Sequence, residues 1–249
     1  MSAAHLTKTV AKREWSAYFN SPVAYVFIVI FLLLAGFFTF AVSRLYEAGQ
    51  ADLQSFFFWH PWLYLLLVPA VAMRLWAEER RTGTLELLLT LPVTTTQALL
   101  GKFLAAWGFL LLALALTFPV VATVAYLGQP DFGPILCGYL GSALLAGAYV
   151  AVGLFTSALT RNQVISFILA VVIGLFLILA GFPPVTDLLA RLFPHAPWLV
   201  DGVAAFSFVT HFEALQRGVI DLRDLAYFAS VIGFMLFATH VAIESRKGK

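Results

Sequence analysis

Of 249 residues, 61% are hydrophobic and 11% charged, with 24 phenylalanines and a formal net charge of +2, against roughly 45–50% and 25% in an ordinary soluble domain. Such a chain cannot cover itself with polar surface, so lipid is its main solvent, and its long unbroken apolar runs exclude a transmembrane barrel. The fold class is therefore all-α, a polytopic helical membrane protein; basic residues scattered at the ends of apolar runs exclude a nucleic-acid partner, and the single Cys137 offers neither an intramolecular disulfide nor a metal site.

Residues 5 to 19, HLTKTVAKREWSAYF, set Leu6, Val10, Trp15 and Tyr18 among Lys8, Lys12, Arg13 and Glu14. This mixture predicts an interfacial helix in the headgroup region, its cations toward anionic lipid. Ser21-Pro22 ends it, so the segment runs 1–21. The first span is Val23 to Val42, uncharged throughout and stopped by Arg44; about 20 such residues cross roughly 30 Å of hydrocarbon. No short apolar core with a small-residue cleavage site precedes it, so a retained span is expected. The second span is Phe56 to Met73, containing His60, Pro61 and Pro69 and closed by Arg74.

The next stretch, 78–102, holds an unusual share of the charge. Glu78-Glu79-Arg80-Arg81 anchors a helix end in water, and Thr82 leads to Gly83, which breaks the helix. Thr84-Leu-Glu-Leu-Leu-Leu-Thr-Leu91 is then a short apolar segment stopped by Pro92. Eight residues reach only about 12 Å as a helix, too short to cross the membrane. Thr94-Thr-Thr-Gln97 has the form of a capping box that starts the following helix. A leucine-rich helix between two breakers exposes an apolar patch, and such a patch marks a docking surface for membrane or protein.

The third span is Phe103 to Leu127, with a kink expected at Pro119, and the fourth is Pro134 to Leu159. The fourth carries Ala143, Gly147 and Ala151 at intervals of four, with Gly153 and Ser157 on a nearby face. Small residues let helix backbones approach closely, toward another span of the same chain or a second protomer. The fifth span is Val164 to Phe182 and the sixth Leu225 to Ile243, both free of Asp, Glu, Lys and Arg. Between them, 183–224 is punctuated by prolines and shows helical apolar spacing, which predicts two short amphipathic helices at the outer leaflet, with Asp201, Glu213 and Asp221 facing water.

Six spans put both termini on one side. Eleven Lys and Arg residues fall on that side, while Arg44, Arg191, Arg217 and Arg223 fall on the other with eight of the 13 acidic residues. Basic residues collect on the cytoplasmic face, so both termini are expected there.

The order Glu79, Gly83, Thr84, Glu86, Leu88, Leu89, Pro92, then Leu100-Gly-Lys102, resembles the coupling region of type-2 ABC-transporter permeases. WSAYFNSPVAYVF (Trp15 to Phe27) and SFVTHFEALQRGVIDLRDLAYF (Ser207 to Phe228) are similar to the subgroup that includes the gliding-motility exporter. The resemblance implies that 1–249 is one permease domain in the inner (cytoplasmic) membrane of a bacterium, paired with a second protomer, identical or homologous. It also implies that Leu85 to Leu91 seats in a groove of a cytosolic ATPase, of which two copies serve the pair. The leucines would supply the apolar seat, and Glu78, Glu79, Arg80, Arg81 and Glu86 would supply charge-assisted contacts that fix register. Lys12, Arg13, Glu14 and Trp15 are a second expected contact, and an outer-side accessory protein is a further partner.

ATP and Mg would be bound by that partner. A phosphate-binding loop needs G-x-x-x-x-G-K-[ST], but Gly101-Lys102 has Thr96 at the first glycine position and Phe103 at the hydroxyl position. No cytosolic stretch exceeds about 30 residues, too few for a separate ATPase domain. An intramembrane enzyme is the rival reading, but His60, His195, His211 and His240 lack the i, i+4 pairing or carboxylate cluster of a metal site. A channel would place polar residues along a pore. With no charge deep in any span, a lipidic, amphiphilic or polymeric cargo, or mechanical work on an outer-side partner, suits the chain better than an ion, and export is the expected direction.

Overall fold

A computed structural model describes residues 3–49, 51–84 and 93–245, which form helices and connections with no strand among them. In chain order these are α1 (Ala3–Phe19), α2 (Pro22–Phe37), continued by a π-helical turn over Phe38–Val42, α3 (Leu45–Ala48), α4 (Gln54–Phe58), α5 (His60–Ala72) and α6 (Arg74–Thr82). Beyond residue 92 follow α7 (Thr95–Ala115), α8 (Phe118–Leu127), α9 (Phe132–Leu159) and α10 (Gln163–Leu179). The chain continues with α11 (Pro183–Leu192), α12 (Pro197–Ala204), α13 (Phe208–Gln216) and α14 (Leu222–Glu244).

Among the described residues four helical stretches are long and apolar enough to cross a membrane: Pro22–Glu47, Thr95–Leu127, Phe132–Leu159 and Leu222–Glu244. A fifth is α10 with α11, bent by 71°. The remaining expected span, the second (Phe56 to Met73), is divided. Its helix breaks at Trp59 and again at Met73, leaving α5 with 13 residues, about 20 Å long. A count of apolar residues does not register such breaks. Pro119 acts as expected, opening α8 after a break at Leu116 and Thr117, where the Thr117 hydroxyl donates to the Leu114 carbonyl at 2.6 Å.

The core is built around α9, which packs against α5, α7, α10, α13 and α14. Its small residues are spent inside the chain. Trp107 Nε1 donates to the Ala143 carbonyl at 2.8 Å, Ala151 is fully buried, and a Cβ on Gly147 would lie 3.1 Å from Ile232 and 3.2 Å from Trp107. Gly153 lies against Ala72 so closely that no side chain fits. Gly153→Leu is therefore expected to destabilise the chain by about 1–3 kcal/mol or more through overpacking, read as a lower thermal midpoint in detergent. An unchanged midpoint would remove Gly153 as a close-approach point.

α1 is docked on the bundle as well as amphipathic. Val10 packs on Gly101, Trp15 on Gly108, and Tyr18 stacks on Phe109 with centroids 5.0 Å apart, so α1 runs along the first turns of α7 in the same direction. Lys12 and Arg13 stay exposed, but Glu14 and Trp15 turn toward the chain. On the opposite flank three helices, not two, follow α10. α11 and α12 bury nothing, whereas α13 sinks Phe208, Phe212 and Leu215 into the core. Asp201, Glu213 and Asp221 are exposed as expected.

Candidate functional site

The charged stretch after α5 folds as an arm. α6 ends where Gly83 takes a left-handed conformation, φ 74°, which a side chain would resist. The Thr82 hydroxyl donates back to the Glu78 carbonyl at 2.9 Å. On the far side of the segment 85–92, Thr94 caps α7: its backbone N–H donates to Gln97 Oε1 at 3.0 Å, and Gln97 N–H donates to Thr94 Oγ1 at 3.3 Å. The Gly83 break and the Thr94 capping box thus stand where the sequence puts them. Leu85, Glu86, Leu88, Leu89 and Pro92 lie outside the described residues.

Three helices bring charge together beside α6. Lys102 on α7 is buried, its side chain 2% exposed, and Nζ donates to Glu79 Oε1 of α6 at 2.7 Å and to Glu14 Oε1 of α1 at 3.1 Å. Arg13 Nη2 lies 2.6 Å from Glu14 Oε1 and 3.6 Å from Glu79 Oε1. The Lys102 ammonium also sits 5.1 Å from the Trp76 ring, a favourable position for a desolvated cation. Burial alone would raise the Glu14 pKa, but Lys102 and Arg13 outweigh it and hold the carboxyl below its ordinary value of 4.5. Burial pushes the Tyr18 phenol well above its ordinary value, although the Arg74 guanidinium lies 4.9 Å from that ring. Glu14, Tyr18, Arg74, Glu78, Glu79 and Lys102 line a cleft of about 330 Å³.

The arm is also fixed from α9. Arg80 Nη1 donates to the Ala158 carbonyl at 2.5 Å, and Ser157 Oγ accepts from Trp76 N–H at 3.0 Å and Ala77 N–H at 2.9 Å while donating to the Met73 carbonyl at 2.8 Å. Thr95 Oγ1 donates to Glu244 Oε1 at 2.5 Å, which ties the end of α14 to the start of α7.

The sequence-predicted residues therefore divide. Glu78, Arg81, Thr82, Gly83 and Thr84 are exposed at the tip. Glu79, Lys102 and Glu14 are spent on one another, and Arg80 on α9, so these four hold the arm instead of presenting it. Trp15, expected as a contact for another protein, packs on Gly108. Along the chain Ser157 reads as a packing residue and Arg74 as the stop of the second span, and nothing marks Trp76. Nor does anything there set Ser157 apart from Ser142 and Thr156, the other small hydroxyls of α9.

A second buried polar cluster lies at the other end. His211 Nδ1 is 2.6 Å from Asp224 Oδ1 and Nε2 is 3.1 Å from the Ala205 carbonyl. Its ring stacks on Tyr227 with centroids 3.9 Å apart, and the Tyr227 hydroxyl donates to the Phe206 carbonyl at 2.5 Å. Sequence reading treated His211 as a lone histidine. Among the described residues no three His, Cys, Asp or Glu side chains gather as a metal site would require.

Residues 65–241, most of the chain, match a family described as ABC-2 family transporter protein. No curated protein matches the chain.

Proposed function

The chain belongs to the ABC-2 transporter family, so it is a transmembrane permease of an ABC transporter, non-catalytic itself and served by separate ATPase subunits; on that premise we propose that the ATPase engages the arm formed by α6 and the segment after it. The observation that carries this reading is the arm's construction: an exposed tip, Arg81 to Thr84 with Glu78, on a base clamped by Lys102, Glu14, Glu79 and Arg80. A rigid base transmits displacement, and an exposed charged tip fixes register with a second protein.

In this reading Leu85 to Leu91 seats in an ATPase groove, and Glu86 joins Glu78 and Arg81 at its polar rim. ATP and Mg sit in two ATPase subunits, which dimerise on binding ATP and draw two permease protomers around a translocation path. Lys12 and Arg13 remain exposed on the flank of α1 for a secondary contact. The buried helices α4 and α5 together form a sixth crossing, which places both termini in the cytoplasm of a bacterium, as the Lys and Arg asymmetry requires. Cargo is lipidic, amphiphilic or polymeric and moves outward, or the motion works an outer-side accessory protein; the likeness of Trp15 to Phe27 and Ser207 to Phe228 to gliding-motility permeases supports the latter.

Leu88→Asp and Glu86→Arg test the seat. Each variant, co-expressed with the ATPase, is expected to insert normally yet lose permease-dependent stimulation of ATP hydrolysis by about tenfold or more, the scale of a buried hot-spot contact. Stimulation equal to the parent chain's in both would remove the seat from this segment.

A further inference from the structure

We propose that Ser157 is a positioning residue for coupling: its hydroxyl splints the break between α5 and α6, so that the arm follows α9 and not the helix that precedes it in sequence. The inference deepens the coupling reading, on which only its functional half rests.

In an unbroken helix Trp76 N–H would bond the Ala72 carbonyl, four residues back, but α5 ends at Ala72 and α6 begins at Arg74 with Met73 as its cap. Ser157 Oγ instead accepts from Trp76 N–H at 3.0 Å and from Ala77 N–H at 2.9 Å while donating to the Met73 carbonyl at 2.8 Å. One hydroxyl hydrogen and two lone pairs are thereby all engaged. Ser157 is fully buried, so water cannot exchange for it freely. A side chain inserted into the helix ladder is a recognised cause of a sharp bend.

The neighbouring contacts agree. Gly153, one turn before Ser157, lets α9 approach Ala72 at the end of α5. One residue after it, the Ala158 carbonyl accepts from Arg80, in the last turn of α6. α6 is thus bound to α9 at its root and in its last turn. α9 in turn packs on α7, α10, α13 and α14, so a push on the tip reaches most of the bundle through α9.

Ser157→Ala removes the wedge with almost no change in volume. Closure of the ladder across the break, with Trp76 bonding the Ala72 carbonyl directly, then swings the arm away from α9. The test places spin labels at Thr82 and Arg161, both exposed, in a chain whose Cys137 is replaced by serine and which is held in lipid nanodiscs. The Ser157→Ala chain is expected to show a shifted and broadened label-to-label distance, and Ser157→Thr, which keeps the hydroxyl, to shift toward the parent value. A Ser157→Ala distribution identical to the parent's overturns the splint. With the ATPase present, the same variant is expected to lose about tenfold of its stimulation of ATP hydrolysis; full stimulation beside a shifted distance overturns the positioning role. A parent chain that stimulates no hydrolysis would sink the coupling reading, while the distance measurement still judges the splint.

Discussion

Replacing Lys102 with methionine is expected to cost about 3–5 kcal/mol of stability, the usual scale for removing one partner of a buried ion pair. The cause is not the lost attraction alone. Methionine fills the stem's volume, but Glu14 and Glu79, each oriented on the single ammonium, are left facing one another with only the half-exposed Arg13 beside them. Neutralising the carboxylates relieves that penalty, so Lys102→Met combined with Glu14→Gln and Glu79→Gln is expected to regain much of the loss in a thermal unfolding series. A triple variant as unstable as the single one would show that Lys102 acts through packing.

The same series carries a pH signature. The Glu14 carboxyl is held below its ordinary value of 4.5 in the folded chain. A depressed carboxylate contributes stability that is complete above the ordinary value and drains away as pH falls through the folded value. In Lys102→Met burial, no longer offset by the ammonium, raises the Glu14 carboxyl, so the gap between the parent chain and the variant is expected to start narrowing above pH 4.5 and to go on narrowing below it as Glu14 of the parent chain takes up its proton. A gap that widens on acidification would contradict the assignment of Glu14 to Lys102.

His211→Phe should be the other costly change, about 3–5 kcal/mol. Its Nε2 must donate to the Ala205 carbonyl, so the 2.6 Å approach of Nδ1 to Asp224 needs one proton between them. Phenylalanine keeps the stack on Tyr227 but leaves a buried carboxylate alone. Asp224→Asn keeps a polar group able to bond the ring and is expected to cost about 1 kcal/mol, a single hydrogen bond. Thermal midpoints in detergent decide between them, and equal losses would mean that the ring matters only by filling space. Since the pair binds α13 to α14 and to the end of α12, greater protease sensitivity near residue 205 should accompany the larger loss.

What the chain's order of residues determined was local. Gly83 and Thr94 mark the ends of two helices because a left-handed turn and a capping box depend on residues within about four positions of one another. Pro119 interrupts its span for the same reason, and the shortage of polar residues makes the molecule a lipid-embedded helical one without reference to any contact.

Tertiary structure decided what lies beyond that range. Lys102 meets Glu14 from 88 residues away, Ser157 meets Met73 from 84, and His211 meets Asp224 across a connection between helices. Each pairing depends on how helices rotate and dock, which composition and periodicity leave open. In an apolar setting a charge gains far more from finding its opposite than it does in water, so packing gathers a few ionic groups that look isolated along the chain. That is why Glu14 and Glu79, which in the sequence resemble contacts for another protein, are bound inside this one.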